Sequence, residues 1–151
     1  PRDIFDIAEG TRPGDREAAR ESFRRFGEVA GDVISQALTI IDGIVVLGGG
    51  LTGAAKYFMP SLLAEMRGEI GTFAGDRFPR LQMQTYDLDS PEEAAEFVRE
   101  KSVPVAVPHS EEHVRYHHIR QTPVVHSKLG ASRAIALGAY AFAIAELDRR
   151  Q

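Results

Sequence analysis

The chain has 151 residues, 43% of them hydrophobic and 26% charged, with a formal net charge of −4 and no cysteine. These values fit one globular domain with a real core, argue against an electrostatic nucleic-acid or membrane-surface footprint, and exclude disulfides and thiolate metal sites within the chain. No uninterrupted apolar run reaches the roughly eighteen residues that a membrane helix needs, and no signal peptide precedes the first predicted helix. The expected location is therefore cytoplasmic, with neither nucleic acid nor membrane as partner. The chain opens on Pro1 rather than Met, which suggests a fragment or a processed product.

Residues 3–10 read as a short helix capped by Asp3, and TRPG at 11–14 as a turn. Asp15 is placed to cap a long helix reaching about Ile41. Its apolar or small residues Ala19, Phe23, Phe26, Ala30, Val33, Ile34, Ala37, Leu38 and Ile41 recur at spacings of three and four and predict one core-facing stripe. IVVL at 44–47 lacks polar alternation and predicts a parallel strand covered on both faces. A helix is expected to start close to Pro60 and continue to about residue 70, followed by a strand over 81–86. Ser90-Pro91-Glu92-Glu93 has the form of a capping box and predicts a helix over 94–101. In 102–121, Pro104 and Pro108 exclude a central strand, and EEHVRYHHI suggests a helical turn or two. PVVHS at 123–127 predicts a strand. Residues 130–147, rich in Ala and Gly and apolar on nearly every side, predict a buried helix. The order is that of an α/β fold, one domain over 1–151, with 87–122 as an insert between core strands.

Residues 41–53, IDGIVVLGGGLTG, join a strand to three consecutive glycines. Gly48-x-Gly50-x-x-Gly53 satisfies the dinucleotide-binding expression of the Rossmann fold, but that motif requires a helix to begin within it. Such a helix would carry Pro60 in its interior, at a cost of roughly 3 kcal/mol. A helix starting at Gly50 would favour the Rossmann reading, and one starting near Pro60 would oppose it. A tight turn needs one glycine, whereas three remove side chains from a whole strip, as suits the approach of a flat ligand.

The long amphipathic helix, the text IDGIVVLGGGL, the following loop and the helix with proline in its first turn resemble the adenosine motif of the ROK family. That family comprises sugar kinases and related repressors of the actin-like ATPase superfamily. Residues 3–42 are similar to the helical segment that follows the family's zinc-binding motif, and SKLGASRAIALGAYAFAI at 127–144 resembles its C-terminal helix. The resemblance implies the C-terminal lobe of the actin-like ATPase (ribonuclease H-like) fold, incomplete in this chain. It also implies an adenosine wall made by Gly48, Gly49 and Gly50. Thr52 would add a hydroxyl, and the first turn of the last helix, with Gly130, Ala131 and Ala134, would form a second wall. The family's D-x-G-x-T phosphate motif, its sugar-binding Asn-Asp pair, its second glycine-rich loop and its zinc site are all absent. The segment from about Asp89 to Thr122 is longer than in shorter members.

The expected function is thus the nucleotide-side part of an ATP- and Mg²⁺-dependent sugar kinase of the hexose or glucose type. Upstream residues would hold the sugar, and no catalytic residue or metal ligand is expected in this chain. The alternatives are a ROK transcriptional regulator with a sugar-sensing lobe and a Rossmann dinucleotide-binding protein. An exposed sheet edge predicts a homo-oligomer.

His109, His113, His117, His118 and His126 fall close together, and a helix would align the first three for a metal. We read them instead as a polar exposed insert. Glu92, Glu93, Glu96, Arg99, Glu100 and Lys101 read as a solvated helix face. Phe23, Phe26, Tyr57, Phe58, Tyr140 and Phe142 are expected in the core or an interface. Asp42 is read as a loop cap rather than a ribose ligand, and Arg115, Arg120, Lys128 and Arg133 as surface cations rather than phosphate contacts.

Overall fold

The computed structural model describes residues 1–149, so the last two residues of the expected 1–151 domain lie outside the described residues. Asp15 caps the long helix as its position suggests. Its carboxylate accepts hydrogen bonds from the Glu17 and Ala18 N–H groups at 2.9 and 3.0 Å, and the helix α2 runs Arg16–Ile40. Before it, α1 spans Arg2–Glu9 and ends at Gly10 in the left-handed conformation (φ 82°); Pro1 rather than Asp3 takes the cap position.

The face that α2 buries is Ala19, Phe23, Gly27, Gly31, Ser35 and Leu38, which is rotated from the expected stripe. Two glycines and a serine form the middle of this line because α3 (Ala55–Met66) crosses there at close range. A Cβ on Gly27 would sit 2.3 Å from the Phe58 carbonyl oxygen, and one on Gly31 would sit 2.6 Å from that of Leu62. Ser35 returns its hydroxyl to the Gly31 carbonyl oxygen at 2.7 Å. Phe26, Val33 and Ile41, expected inside, are exposed, although the Phe26 ring meets Phe58 edge-on at 5.3 Å.

Helical backbone begins earlier than Pro60. A 3₁₀ turn at Thr52–Ala54 leads into α3, with Pro60 inside it. Lys56 and Pro60 are both exposed, so the carbonyl that lacks a donor lies on the solvent side. The buried side, Phe58, Met59, Leu62, Leu63 and Met66, is left intact.

The sheet has three parallel strands in the order β1 (Val45–Leu47), β7 (Arg120–His126), β4 (Met83–Asp87). One face packs Val45, Leu47, Met83 and the fully buried Val124 against α2 and α3. On the other face Tyr86 meets Phe97 of α4 (Pro91–Val98), with ring centroids 5.6 Å apart. Beside β1 that second face is open: Ile44 is 67% and Val46 60% exposed, so β1 is covered on one face and not on both.

Two exposed hairpins escape the sequence reading. β2 (Glu69–Gly71) pairs with β3 (Arg77–Pro79), and β5 (Val103–Ala106) with β6 (His113–Tyr116). The second replaces the helical turn expected at 111–119. Pro104 is tolerated there because the ribbon has only two strands, which agrees with the exclusion of a central strand. The last helix, α5 (Ala131–Asp148), buries none of its residues: Tyr140 is 67% and Phe142 70% exposed. The buried helix expected at 130–147 is therefore an apolar helix standing in solvent. Among the described residues no helix is long and apolar enough to cross a membrane.

Candidate functional site

In parallel sheets the chain leaves every strand at the same end, and ligands gather outside those carboxyl ends. Here Leu47 is paired with His126, and the Ser127 N–H donates to the Leu47 carbonyl oxygen at 2.7 Å. The glycine turn at 48–50 and the segment leading to Gly130 therefore leave the sheet side by side. Gly130 (φ 76°) is the N-cap of α5, with no side chain capping the first turn. The first-turn N–H groups, those of Ala131 among them, are thus left without a capping acceptor.

The glycine strip separates two demands. Gly49 has φ 98°, a conformation in which a side chain is strained. Gly48, Gly50 and Gly53 have no such requirement. A Cβ on Gly50 or Gly53 would meet nothing within 4 Å, and one on Gly48 would meet only Ser127 Cβ at 4.0 Å. All three residues at 48–50 are exposed. Turn geometry therefore accounts for one glycine of the three, and packing within this chain for none.

Thr52 donates its hydroxyl to the Gly49 carbonyl oxygen at 2.8 Å, closing the turn, and its oxygen keeps an acceptor lone pair. Behind the strip lies a 110 Å³ apolar hollow bordered by Phe26, Leu47, Gly48, Leu51 and Phe58. Beside it a 280 Å³ cleft is lined by Phe5 and Phe23 with Gly50, Leu51 and Gly53. The strip is thus a wall with shallow relief.

Sequence reasoning missed one pair at the same end of the sheet. Asp89 follows β4, accepts the His126 N–H at 3.1 Å and pairs with the His126 ring through Nδ1. Strand register alone brings them together, so no local motif announces them. The other histidines do not align: His113 lies on β6, His109 sits in a turn at φ 61°, and His117 stacks on His118 with centroids 5.7 Å apart. Among the described residues no three His, Asp or Glu side chains converge as metal ligands. Asp42 and Arg120 pair with each other near the amino ends of β1 and β7, the end of the sheet away from the glycines. Arg115 binds Ser102 and Glu100 on the hairpin side, while Lys128 and Arg133 flank Gly130.

A larger cleft of 480 Å³, lined by Glu17, Arg20, Glu21, Arg24, Lys56 and Tyr57, is neutralised internally. Hydrogen bonds from Arg24 and Arg25 hold the Glu21 carboxyl down at about 2, and a hydrogen bond to Glu9 pushes the Lys56 ammonium up. Its cations are already engaged, which leaves little field for an anion.

No protein-family model and no curated protein matches the chain. Among solved structures it is similar to a glucokinase from Parabacteroides distasonis ATCC 8503, at 46% identity and a TM-score of 0.77. The match covers 95% of this chain and 38% of that one. The helix after the glycines starts at Thr52–Ala55 with Pro60 inside it, so it meets neither expectation: it begins well before Pro60, within residues 48–53, and yet not at Gly50, since Gly50 and Leu51 form a turn. The chain is a mixed α/β structure of the actin-like ATPase type that shares its fold with part of a glucokinase, and it spans little more than a third of that protein's length, 38%.

Proposed function

We propose that this chain is the C-terminal part of a ROK-family sugar kinase and that its glycine strip is the adenosine wall of the nucleotide site. The observation that carries this reading is the absence of any turn or packing demand for Gly48 and Gly50. Bare backbone on an exposed strip admits a flat aromatic base and a ribose at contact distance, and β-carbons would hold them off. Gly130, Ala131 and Ala134 form the second wall, where the uncapped first turn of α5 offers N–H groups to ribose or phosphate oxygens. Thr52 accepts a further hydroxyl proton. The likeness to a glucokinase supports a sugar as the acceptor.

ATP supplies the phosphoryl group in such a reaction and Mg²⁺ neutralises its charge. The residues of the strip and of the first turn of α5 fit the adenosine end, where they bind and orient the base. On this reading the isolated chain binds adenine nucleotides and does not phosphorylate sugars. It also associates in solution, because the outer edge of β1 and the whole of α5 are uncovered.

Substitution Gly50→Ala tests the wall. The added methyl enters open space at an ordinary φ, so the melting temperature should hold within a degree or two while affinity for ADP falls at least tenfold. Unchanged ADP affinity in a folded Gly50→Ala protein would refute the assignment.

A further inference from the structure

The two edges of the sheet are built differently. In the β4–β7 ladder the Leu88 N–H donates to the Val124 carbonyl oxygen, so even-numbered residues of β4 pair inward and the backbone groups of Met83, Thr85 and Asp87 point away from the sheet. Two of those outward groups are already occupied. The Arg67 guanidinium donates to the Thr85 carbonyl oxygen at 3.1 Å, and the Glu93 carboxylate accepts the Asp87 N–H at 2.7 Å. Arg67 and Glu93 also pair with each other through Nη2 and Oε2. Arg67 ends α3 and Glu93 opens α4, so the pair spans the strand edge from helix to helix. It supplies one donor and one acceptor where a neighbouring strand would supply them.

Glu93 does this in place of the reciprocal arm of its capping box. Ser90 Oγ accepts the Glu93 N–H at 3.3 Å, but the Glu93 carboxylate turns to Asp87 rather than back to Ser90. Beside the same edge lies a 470 Å³ cleft lined by Met66, Arg67, Leu81, Thr85, Glu93 and Glu96. Thr85 is only 6% exposed, and its buried hydroxyl has no hydrogen-bond partner.

We propose that the Arg67–Glu93 pair closes the β4 edge against strand addition, and that a second copy of this chain docks on that edge when the pair is removed. The occupant follows from self-complementarity. Antiparallel pairing of two β4 strands about a two-fold axis through Thr85 sets Gln84 opposite Tyr86 and Met83 opposite Asp87. Thr85 then faces Thr85, a favourable cross-strand pair. The outward Thr85 and Asp87 groups gain backbone partners in the copy, and the cleft gives the incoming strand room. A side-chain clasp of this kind is one way in which an exposed edge is blunted. The proposal is independent of the nucleotide reading.

The test is sedimentation velocity with amide hydrogen exchange on the whole chain. Glu93→Ala and Arg67→Ala should each raise the sedimenting mass above that of the wild-type chain at equal concentration. The Thr85 and Asp87 amides of each variant should gain protection as concentration rises. Arg67→Lys, which keeps a donor for the Thr85 carbonyl oxygen and a cation for Glu93, should keep the mass at the wild-type value. Arg67→Ala leaves the α4 cap intact, so it decides the outcome if Glu93→Ala does not fold. Wild-type mass for a folded Arg67→Ala protein at every concentration, with the Asp87 amide merely freed, would overturn the proposal and leave the pair as a local tie.

Discussion

Single residues separate what the fold requires from what it leaves to a ligand. Gly27 and Gly31 are required by packing, because their missing β-carbons let α3 carbonyls approach α2. Gly27→Ala should destabilise the chain by about 1–3 kcal/mol, since the obstacle is a backbone oxygen at 2.3 Å and outweighs the gain in helix propensity of about 1 kcal/mol. Urea unfolding measures this, and an unchanged or raised midpoint would show that the helices can part without cost. Gly48 and Gly50 show the opposite pattern, with space all around them. The sequence showed both sets of glycines but distinguished them poorly: Gly48–Gly50 stand out as a run, whereas Gly27 and Gly31 are scattered in a helix and were passed over for larger neighbours such as Phe26 and Val33.

At the scale of elements, legibility followed burial. Asp15 and the long apolar periodicity specified α2 to within a residue or two, and Ser90-Pro91 specified the start of α4. The strands over 81–86 and 123–127 were found through their apolar or β-branched cores and proved to be β4 and the end of β7. The hairpin β2–β3 was missed because three exposed residues per strand are too few to show a period, and β5–β6 was missed although Val103, Val105, Val114 and Tyr116 alternate, because Pro104 and Pro108 argued against a strand there. The start of α3 was misplaced because Pro60 has a favoured position at a helix start, and here solvent on that side removes the penalty of an interior one. For α5 the apolar composition was legible, but composition does not say what covers a helix. Its exposed Ile135, Leu137, Tyr140 and Phe142 underlie the expected self-association. Light scattering should show a species larger than the monomer, and Tyr140→Asp with Phe142→Asp should reduce it. A monomeric wild-type chain would refute that expectation.

For the whole molecule, a three-stranded parallel sheet with helices on both faces converts a glycine run and a distant helix start into one surface. Local motifs gave the glycine run and the helix start separately, and only the pairing of Leu47 with His126 shows that they leave the same end of the sheet. The Asp89–His126 pair needed that same register and was not legible beforehand. The likeness to a glucokinase at 46% identity extends over 95% of this chain, so the arrangement belongs to a shared fold rather than to one loop. The most direct test of the adenosine wall is a titration of the chain with ADP, followed by backbone amide resonances, with NAD as the control. Shifts concentrated at Gly48–Gly50 and Gly130–Ala134 with ADP, absent with NAD and lost in Gly50→Ala, are the predicted result. Silent glycine amides at saturating ADP, or shifts centred on another surface, would contradict it.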